Sequence, residues 1–291
     1  MKYRITHTTA YQYSEPASLS QNELFLTPRA TARQQVLQTE LVFDPQPQYL
    51  HRRIDYFDNI AHVFMVQQPH KALSLTAVST VRTGRAQDPD AASTLPWETA
   101  VQRLRAHLQP EELDASQFVF PSPMILFNPA ILDYARVSFP PGRPVLEGGL
   151  DLMGRIFTEF AYDKSASTVD TPVAQVLATR RGVCQDFSHL AIACLRSLGL
   201  AARYVSGYLE TLPPPGKPKL VGADASHAWV ALYVPDEGWV DLDPTNNVLA
   251  GESHVTLAWG RDYSDVAPVK GVVMGGGVHT LSVEVDVARV G

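Results

Sequence analysis

The sequence predicts an α+β protein, in which a β-sandwich-like N-terminal domain (residues 1–85) precedes a core (residues 145–291) where one helix packs on an antiparallel sheet. Three observations predict this fold. Residues 1–85 contain strand-like segments without a helical period. Helical periodicity begins near residue 96 and is clearest between residues 145 and 198. Strand-like segments then dominate from residue 202 to the end of the sequence.

The composition is that of a globular protein. The chain has 291 residues, 45% of them hydrophobic, and a formal net charge of −6. This is enough apolar material for one large or two ordinary domains, and it offers no basic stripe for a phosphate backbone. No apolar run approaches the roughly 20 residues that span a bilayer. Because residues 1–7 alternate and lack the apolar stretch of a signal peptide, we expect a cytoplasmic protein that binds neither nucleic acid nor membrane.

The N-terminal domain is predicted from three strand-like segments, residues 2–13, 35–43 and 72–82. They alternate with period two or are rich in Val, Leu and Thr, and turn residues such as Asp58-Asn59 lie between them. The short spacing of these strands favours a sandwich.

A connecting segment, residues 86–144, separates the two predicted domains. Residues 86–95 are polar and typical of a linker, whereas residues 96–108 have the apolar period of a helix. Residues 116–141 are apolar but carry prolines at positions 121, 123, 129 and 140. Because proline interrupts helices, we expect only short helical turns there.

The core is predicted to contain helices followed by strands, which is the order of an α+β domain. The predicted helices cover residues 145–160, 171–180 and 184–198. The predicted strands cover residues 202–209, 227–234, 239–243 and 279–290.

Cys184 is predicted to begin a helix, shortly after Gly182 ends the preceding element. A thiol at a helix N-terminus faces the positive end of the helix dipole and unpaired backbone N–H groups, which favour the thiolate and can bind an oxyanion. The alternative is a small buried hydrophobic side chain. That alternative is preferred for Cys194, which lies ten residues on, in the middle of the helix. The rise of a helix places the two thiols about 15 Å apart, too far for a disulfide or a shared zinc ion.

A histidine and two aspartates lie on the predicted strands that follow. His227 begins one strand, and histidine is the side chain best suited to proton transfer near neutral pH. A short turn joins this strand to the next, so a carboxylate there can reach the imidazole. Asp241 and Asp243 share one face of that strand, and spacing alone does not choose between them. Taken singly, a half-buried structural histidine and a turn aspartate before Pro244 explain these residues equally well.

Three segments together resemble the core motifs of the transglutaminase-like superfamily. They are Gly-Val-Cys-Gln-Asp at 182–186, Ser-His-Ala-Trp-Val at 226–230 and Asp-Pro-Thr at 243–245. The resemblance implies a papain-like α+β core with Cys184, His227 and Asp243 as the catalytic triad. Residues 3–11 and 260–268 resemble the β-rich N-terminal domain and the C-terminal segment of the bacterial branch of this superfamily.

The resemblance also implies a mechanism. Cys184 acts as the nucleophile, His227 as the base, and Asp243 orients the imidazole. The backbone N–H of Cys184 supplies one oxyanion donor, and Tyr162 resembles the usual location of the second. A tyrosine that merely packs on the helix is the alternative for Tyr162. No cofactor or metal is required for any step.

The predicted function is therefore acyl transfer through a Cys184 thioester, with hydrolysis of an amide or peptide bond as the main reaction. The substrate is expected to be a peptide, a protein or a small amide, and the oligomeric state stays open. The alternatives are a protein-glutamine transglutaminase, which passes the acyl group to an amine, and a non-catalytic binding module. A metal-binding protein is disfavoured because the 9 histidines are scattered, without the spacing of a zinc motif.

Overall fold

The computed structural model describes residues 1–85, 88–107, 109–211 and 226–290. The predicted linker residues Ala86 and Gln87, and the predicted helix end at Leu108, lie outside these ranges. Among the described helices, none combines the length and the apolar character needed to cross a membrane.

The N-terminal domain is built from five strands, followed by two more from the end of the chain. The five strands are β1 (Lys2–Leu24), β2 (Gln34–Asp44), β3 (Tyr49–Ile54), β4 (Ile60–Val66) and β5 (His70–Thr83). They form one antiparallel sheet in the order β2-β5-β1-β4-β3. β3 and β4 are strands that the sequence reading did not identify.

The long strand β1 explains how a single sheet makes a sandwich-like domain. Residues 2–12 of β1 pair with β5, residues 20–24 pair with β4, and the register shifts between Gln12 and Ala17. Phe43 of β2 packs on Phe64 of β4, with ring centroids 4.9 Å apart. The two halves of the sheet therefore fold onto each other around a shared apolar layer, as the predicted fold class requires.

The predicted division of the chain is corrected at its C-terminal end. The core was predicted to extend over residues 145–291, but β13 (Val269–Gly275) and β14 (His279–Arg289) pair with β1 in the N-terminal sheet. The inward-facing Val285 and Val287 of β14 are buried there. The physical reason is that β1 has a free edge for pairing along its whole length, and non-local pairing of this kind has no local sequence pattern.

The core and the segment that leads to it contain seven α-helices in the described part of the chain. They are α1 (Trp97–Ala106), α2 (Pro110–Ser116), α3 (Pro129–Ser138), α4 (Val145–Glu159), α5 (Val173–Thr179), α6 (Cys184–Ser197) and α7 (Tyr263–Val266). α4, α5 and α6 follow the predicted helices to within two residues at each end.

Helix α3 differs from the short turns expected for residues 116–141. Pro129 occupies the first helical position, where its missing N–H costs nothing, and Asn128 caps the helix by accepting the N–H of Ala130 at 2.8 Å. The carbonyl oxygen of Ile131 lies 3.8 Å from the Cys194 sulfur in α6. The connecting segment is thus part of the helical layer of the core rather than a spacer.

The core sheet has five strands in the order β11-β10-β9-β8-β12. They are β8 (Ala202–Leu209), β9 (Ser226–Val234), β10 (Gly238–Asp243), β11 (Val248–Leu249) and β12 (His254–Gly260). A separate parallel pair, β6 (Ala161–Tyr162) and β7 (Arg181–Gly182), lies just before α6 in the chain. Helix α6 packs against β8 and β9 of the core sheet, and the buried Val230 and Leu232 of β9 belong to the same apolar cluster as its buried residues.

The N-terminal domain packs along β12, which is an edge strand of the core sheet. Gln34 donates from Nε2 to the carbonyl of Thr256 at 2.7 Å and accepts the N–H of Thr256 at 2.9 Å. Asn59 makes the same pair of bonds to Trp259, at 2.8 and 3.0 Å. These amide side chains satisfy backbone groups that an edge strand leaves unpaired. The two domains are therefore joined by paired hydrogen bonds to the backbone of β12, in the way that a neighbouring strand would pair with it.

Candidate active site

The start of α6 is built to hold Cys184 at the first helical position. The Asp186 carboxylate accepts the backbone N–H of Val183 at 2.7 Å and the hydroxyl of Ser167 at 2.5 Å. Gly182 leaves room for this carboxylate, because a Cβ there would lie 2.7 Å from Asp186 Oδ2. The half-buried Cys184 thiol is thereby placed beside the free N–H groups of the first turn.

His227 connects the thiol to a carboxylate. Its Nε2 donates to Asp243 Oδ2 at 2.8 Å, and its side chain also hydrogen-bonds with Cys184. Because Nε2 is engaged by Asp243, Nδ1 is the nitrogen left to face the sulfur. The His227 side chain is only 9% exposed, so these bonds operate largely out of water. The structure thus brings together the three residues that the sequence singled out.

The electrostatics of the site favour a protonated His227 beside an ionised Asp243. Burial, the largest single effect, lowers the pKa of His227, but its hydrogen bonds to Asp243 and Cys184 and their charges together raise that pKa to about 10. Burial also raises the pKa of Asp243, but hydrogen bonds from His227, His254 and Asn246 outweigh it and hold the pKa of this carboxyl well below its usual range. An ionised Asp243 beside a readily protonated imidazole is the arrangement that stabilises an imidazolium.

Asp243 is fully buried and satisfied from several directions. Its Oδ1 accepts the backbone N–H groups of Thr245 at 2.9 Å and Asn246 at 3.3 Å. Its Oδ2 accepts from His227, from the Asn246 side chain at 2.7 Å and from His254 Nε2 at 3.2 Å. Such a carboxylate has little freedom to rotate.

The structure separates the two aspartates that strand spacing could not tell apart. Asp241 lines a cavity of about 270 Å³ between the core sheet and the N-terminal domain, together with Arg203 and Trp229. Burial raises the pKa of Asp241, and the charges of Arg203 and Arg33 lower it only in part. Asp243 is the one at the end of β10, where it contacts His227.

Tyr162 lies near the thiol. It is 52% exposed, and its ring packs edge-on against Phe187 with centroids 6.5 Å apart. Burial and the neighbouring Cys184 raise the pKa of Tyr162, which keeps its hydroxyl protonated and able to donate. It lines one open pocket of about 310 Å³ with Cys184 and His227. This position is compatible with an oxyanion donor, and the role stays a prediction.

Asn246 and His254 were missed by the sequence reading. Asn246 lies three residues after Asp243, in the turn that follows β10. The tendency of asparagine side chains to hydrogen-bond within turns could have indicated this residue from the sequence. His254 lies eleven residues beyond Asp243 on β12, three strands away in the sheet. Nothing local to its sequence indicates that contact.

The atoms of His227, Asp243 and His254 lie close enough to hold a metal ion, within 4.8 Å of one another. The hydrogen bonds around them favour a different use. His254 Nδ1 accepts the N–H of Gly251 at 3.2 Å, so its Nε2 carries the proton and has no lone pair to offer. The donor set therefore fits a hydrogen-bonded cluster better than a ligand shell.

Comparison with known families agrees with this geometry. A family described as "Transglutaminase-like superfamily" matches residues 141–244, and the "Bacterial transglutaminase-like N-terminal region" matches residues 3–82. A protein of Mycobacterium tuberculosis, itself uncharacterized, is 40% identical over 294 residues, which cover 98% of this chain and 92% of that protein. The chain belongs to the transglutaminase-like superfamily.

Solved structures support the superfamily fold. The crystal structure of a candidate cysteine protease from Cytophaga hutchinsonii matches with a TM-score of 0.77 over 100% of this chain and 92% of that one, at 22% sequence identity. The architecture is therefore shared along the whole chain, including the bacterial N-terminal domain.

A likeness of more limited extent is found to a transferase. The Protein-glutamine gamma-glutamyltransferase of Pseudomonas aeruginosa is 31% identical over 105 residues, which cover 33% of this chain and 16% of that protein. Members of the superfamily are usually enzymes that act on proteins or peptides, and these relatives include both a candidate protease and a transferase by name.

Proposed function

We propose that this chain is a cysteine-nucleophile acyl-transfer enzyme that hydrolyses amide or peptide bonds. The observation that carries the proposal is the hydrogen-bonded series Cys184–His227–Asp243 at the N-terminus of α6, on the wall of an open pocket. A nucleophile, a base and an orienting acid within hydrogen-bond reach are the parts that covalent acyl chemistry needs.

The first half of the proposed reaction forms a thioester. The Cys184 thiolate attacks the carbonyl carbon, the S–C bond forms, and the carbonyl electrons move to oxygen. The backbone N–H of Cys184 and the Tyr162 hydroxyl stabilise that oxyanion. As the intermediate collapses, the C–N bond breaks and His227 gives its proton to the departing amine.

The second half restores the enzyme. Neutral His227 takes a proton from water while the water oxygen attacks the thioester carbon. Collapse of the second intermediate breaks the S–C bond and releases the acid, leaving the Cys184 thiolate beside protonated His227. Throughout, Asp243 accepts the Nε2–H of His227, which keeps Nδ1 directed at the sulfur and stabilises the positive imidazole.

Hydrolysis is preferred to amine transfer because nothing in the described residues marks a subsite for an amine or a barrier that keeps water from the acyl group. The likeness to the Pseudomonas transferase favours the second candidate, a protein-glutamine transglutaminase. The two reactions share one triad and differ only after the thioester has formed. The substrate class we propose is a peptide, a protein or a small amide, and a cytoplasmic location stays a prediction.

Mass spectrometry of the acyl adduct on Cys184 tests the proposal. The protein is incubated with a cell extract and with p-nitrophenyl acetate as a simple acyl donor, and the adduct is located by peptide mapping. We expect an adduct on Cys184 and none in the Cys184→Ala protein. An unmodified Cys184 with both donors would favour a non-catalytic binding module.

The same acyl donor separates the two reactions. A primary amine such as cadaverine is added in large excess, and the products are divided into free acid and amide. We expect mainly the free acid. The amide that forms with the Cys184→Ala protein is subtracted, because cadaverine also reacts directly with this activated ester. If most of the remaining acyl group appears as the amide of cadaverine, the chain is a transferase.

A further inference from the structure

We propose that His254 is a positioning residue of the triad, which donates a hydrogen bond to the same oxygen of Asp243 that holds His227. The inference rests on the proposed function, because His254 acquires this role only if Asp243 orients a catalytic histidine. His254 begins β12, its side chain is 4% exposed, and its Nε2 lies 3.2 Å from Asp243 Oδ2.

The hydrogen bonds around His254 decide which ring nitrogen carries the proton. Nδ1 lies 3.2 Å from the backbone nitrogen of Gly251, and that N–H can only donate. Nδ1 is therefore the acceptor, and Nε2 is the protonated donor of a neutral imidazole. His254 thus offers Asp243 a hydrogen bond that does not depend on a positive charge.

This bond completes the surroundings of a carboxylate without solvent contact. Backbone N–H groups hold Oδ1, whereas His227, Asn246 and His254 all donate to Oδ2. His254 comes from a different segment of the chain than the other donors, so it restrains the carboxylate from a direction that the turn after β10 cannot supply. Without it, Oδ2 is free to turn partly away from His227, and a buried acceptor is left less satisfied.

The His254 ring is held in place by Trp229, which lies two residues after His227 on β9. The two rings meet edge to face with centroids 5.2 Å apart, and Trp229 is fully buried. Gly207 on β8 makes this possible, because a Cβ there would lie 2.4 Å from the Trp229 ring. The Nε2–H group of His254 is therefore held in a fixed direction toward Asp243.

Strand β12 also connects this contact to the N-terminal domain. Gln34 hydrogen-bonds in both directions with Thr256, two residues after His254. The N-terminal domain thus supports the strand that supplies the donor to Asp243, which gives that domain a part in the geometry of the triad.

Two substitutions separate the hydrogen bond from the ring that carries it. His254→Phe keeps an aromatic ring against Trp229 but removes the donor, whereas His254→Gln removes the ring but can place an amide N–H near the position of Nε2. The readouts are the rate constant for alkylation of Cys184 by iodoacetamide at neutral pH and the separate kcat and KM for p-nitrophenyl acetate. Circular dichroism and thermal melts establish that each variant is folded.

We expect His254→Phe to lower the alkylation rate and kcat by about ten- to a hundredfold, the effect of losing one hydrogen bond to a charged group, with KM little changed. His254→Gln is expected to recover at least threefold of that loss. Wild-type rates in folded His254→Phe, or rates in His254→Gln as low as those in His254→Phe, would overturn the inference.

A measurement on the unaltered protein keeps the inference testable if His254→Phe does not fold. Long-range ¹⁵N–¹H correlation of the histidine rings, assigned against His254→Gln, should show His254 as the neutral Nε2–H tautomer. The Nδ1–H tautomer would contradict the proposed donation.

The Cys184→Ala and Asp243→Asn proteins distinguish failure of this inference from failure of the proposed function. If Cys184 is the reactive thiol and Asp243→Asn slows it but His254→Phe does not, only the role of His254 is wrong. If the Cys184→Ala protein reacts with p-nitrophenyl acetate as fast as the wild type, the proposed function itself is wrong.

Discussion

The first turn of α6 and its middle place the same residue type, a cysteine, in different surroundings, and the two aspartates of β10 differ in a similar way. Cys184 is half-buried at the first position of α6 and bonds with His227. Cys194 lies mid-helix, is fully buried, and burial raises the pKa of its thiol far above the ordinary value. The two thiols of α6 therefore differ in their neighbours, and we expect only Cys184 to be reactive.

Asp241 and Asp243, two residues apart on β10, also differ in their surroundings. Asp243 accepts five hydrogen bonds, and its pKa is held low, whereas burial raises the pKa of Asp241 beside the interdomain cavity. The site is therefore defined by the hydrogen-bond donors that converge on a residue rather than by residue type or strand face.

The largest expected effect comes from the two thiols. Cys184→Ala should abolish acyl-adduct formation and turnover, on the order of a 10⁴-fold loss or more, because no nucleophile remains. Cys194→Ala should retain turnover and lose about 1 kcal/mol of stability from the small cavity. Mass spectrometry measures adduct formation, and urea denaturation measures the loss of stability. Turnover retained by Cys184→Ala would show that Cys184 is not the nucleophile.

The second largest effect is expected at the two aspartates of β10. Asp243→Asn should lower kcat by roughly 10³- to 10⁴-fold, because the amide cannot stabilise the imidazolium and favours the wrong tautomer. Asp241→Asn should cost less than about tenfold, since Asp241 does not contact His227. Both variants are assayed with p-nitrophenyl acetate. Equal losses, or a larger loss in Asp241→Asn, would show that Asp243 is not the orienting acid.

A smaller effect is expected at the oxyanion. Tyr162→Phe should lower kcat by about ten- to a hundredfold with little change in KM, because a hydroxyl donor to the transition state is lost while the ring stays against Phe187. Tyr56→Phe, at a residue that is 79% exposed in the N-terminal domain, is the matched control. If the two variants have the same kcat, Tyr162 only packs on the helix.

The smallest effect concerns stability against pH. The folded state raises the pKa of His227 to about 10, above the value of about 6.5 expected in the unfolded chain. The stabilisation is therefore fully present below about pH 6.5 and is lost as pH rises through 10. Urea denaturation at pH 6, 8 and 10 should show wild type losing stability relative to His227→Gln. A constant difference across these values would mean that His227 does not gain a proton on folding.

Much of the molecule was determined by the sequence itself. The apolar spacing from Phe187 to Leu198 predicts α6, strand-like segments predict β8, β9 and β10, and the motifs around Cys184, His227 and Asp243 predict the site. These features are local, since helix and strand periods and a helix N-terminus express themselves within a few residues.

Only the tertiary structure decided which distant groups meet. It paired β13 and β14 with β1 rather than with the core, formed α3 between Pro129 and Pro140, placed Asp241 at a cavity and brought His254 to Asp243 across the core sheet. Strand pairing and converging donors depend on which edges and faces the folded chain leaves free, and a residue's immediate neighbours carry no record of that.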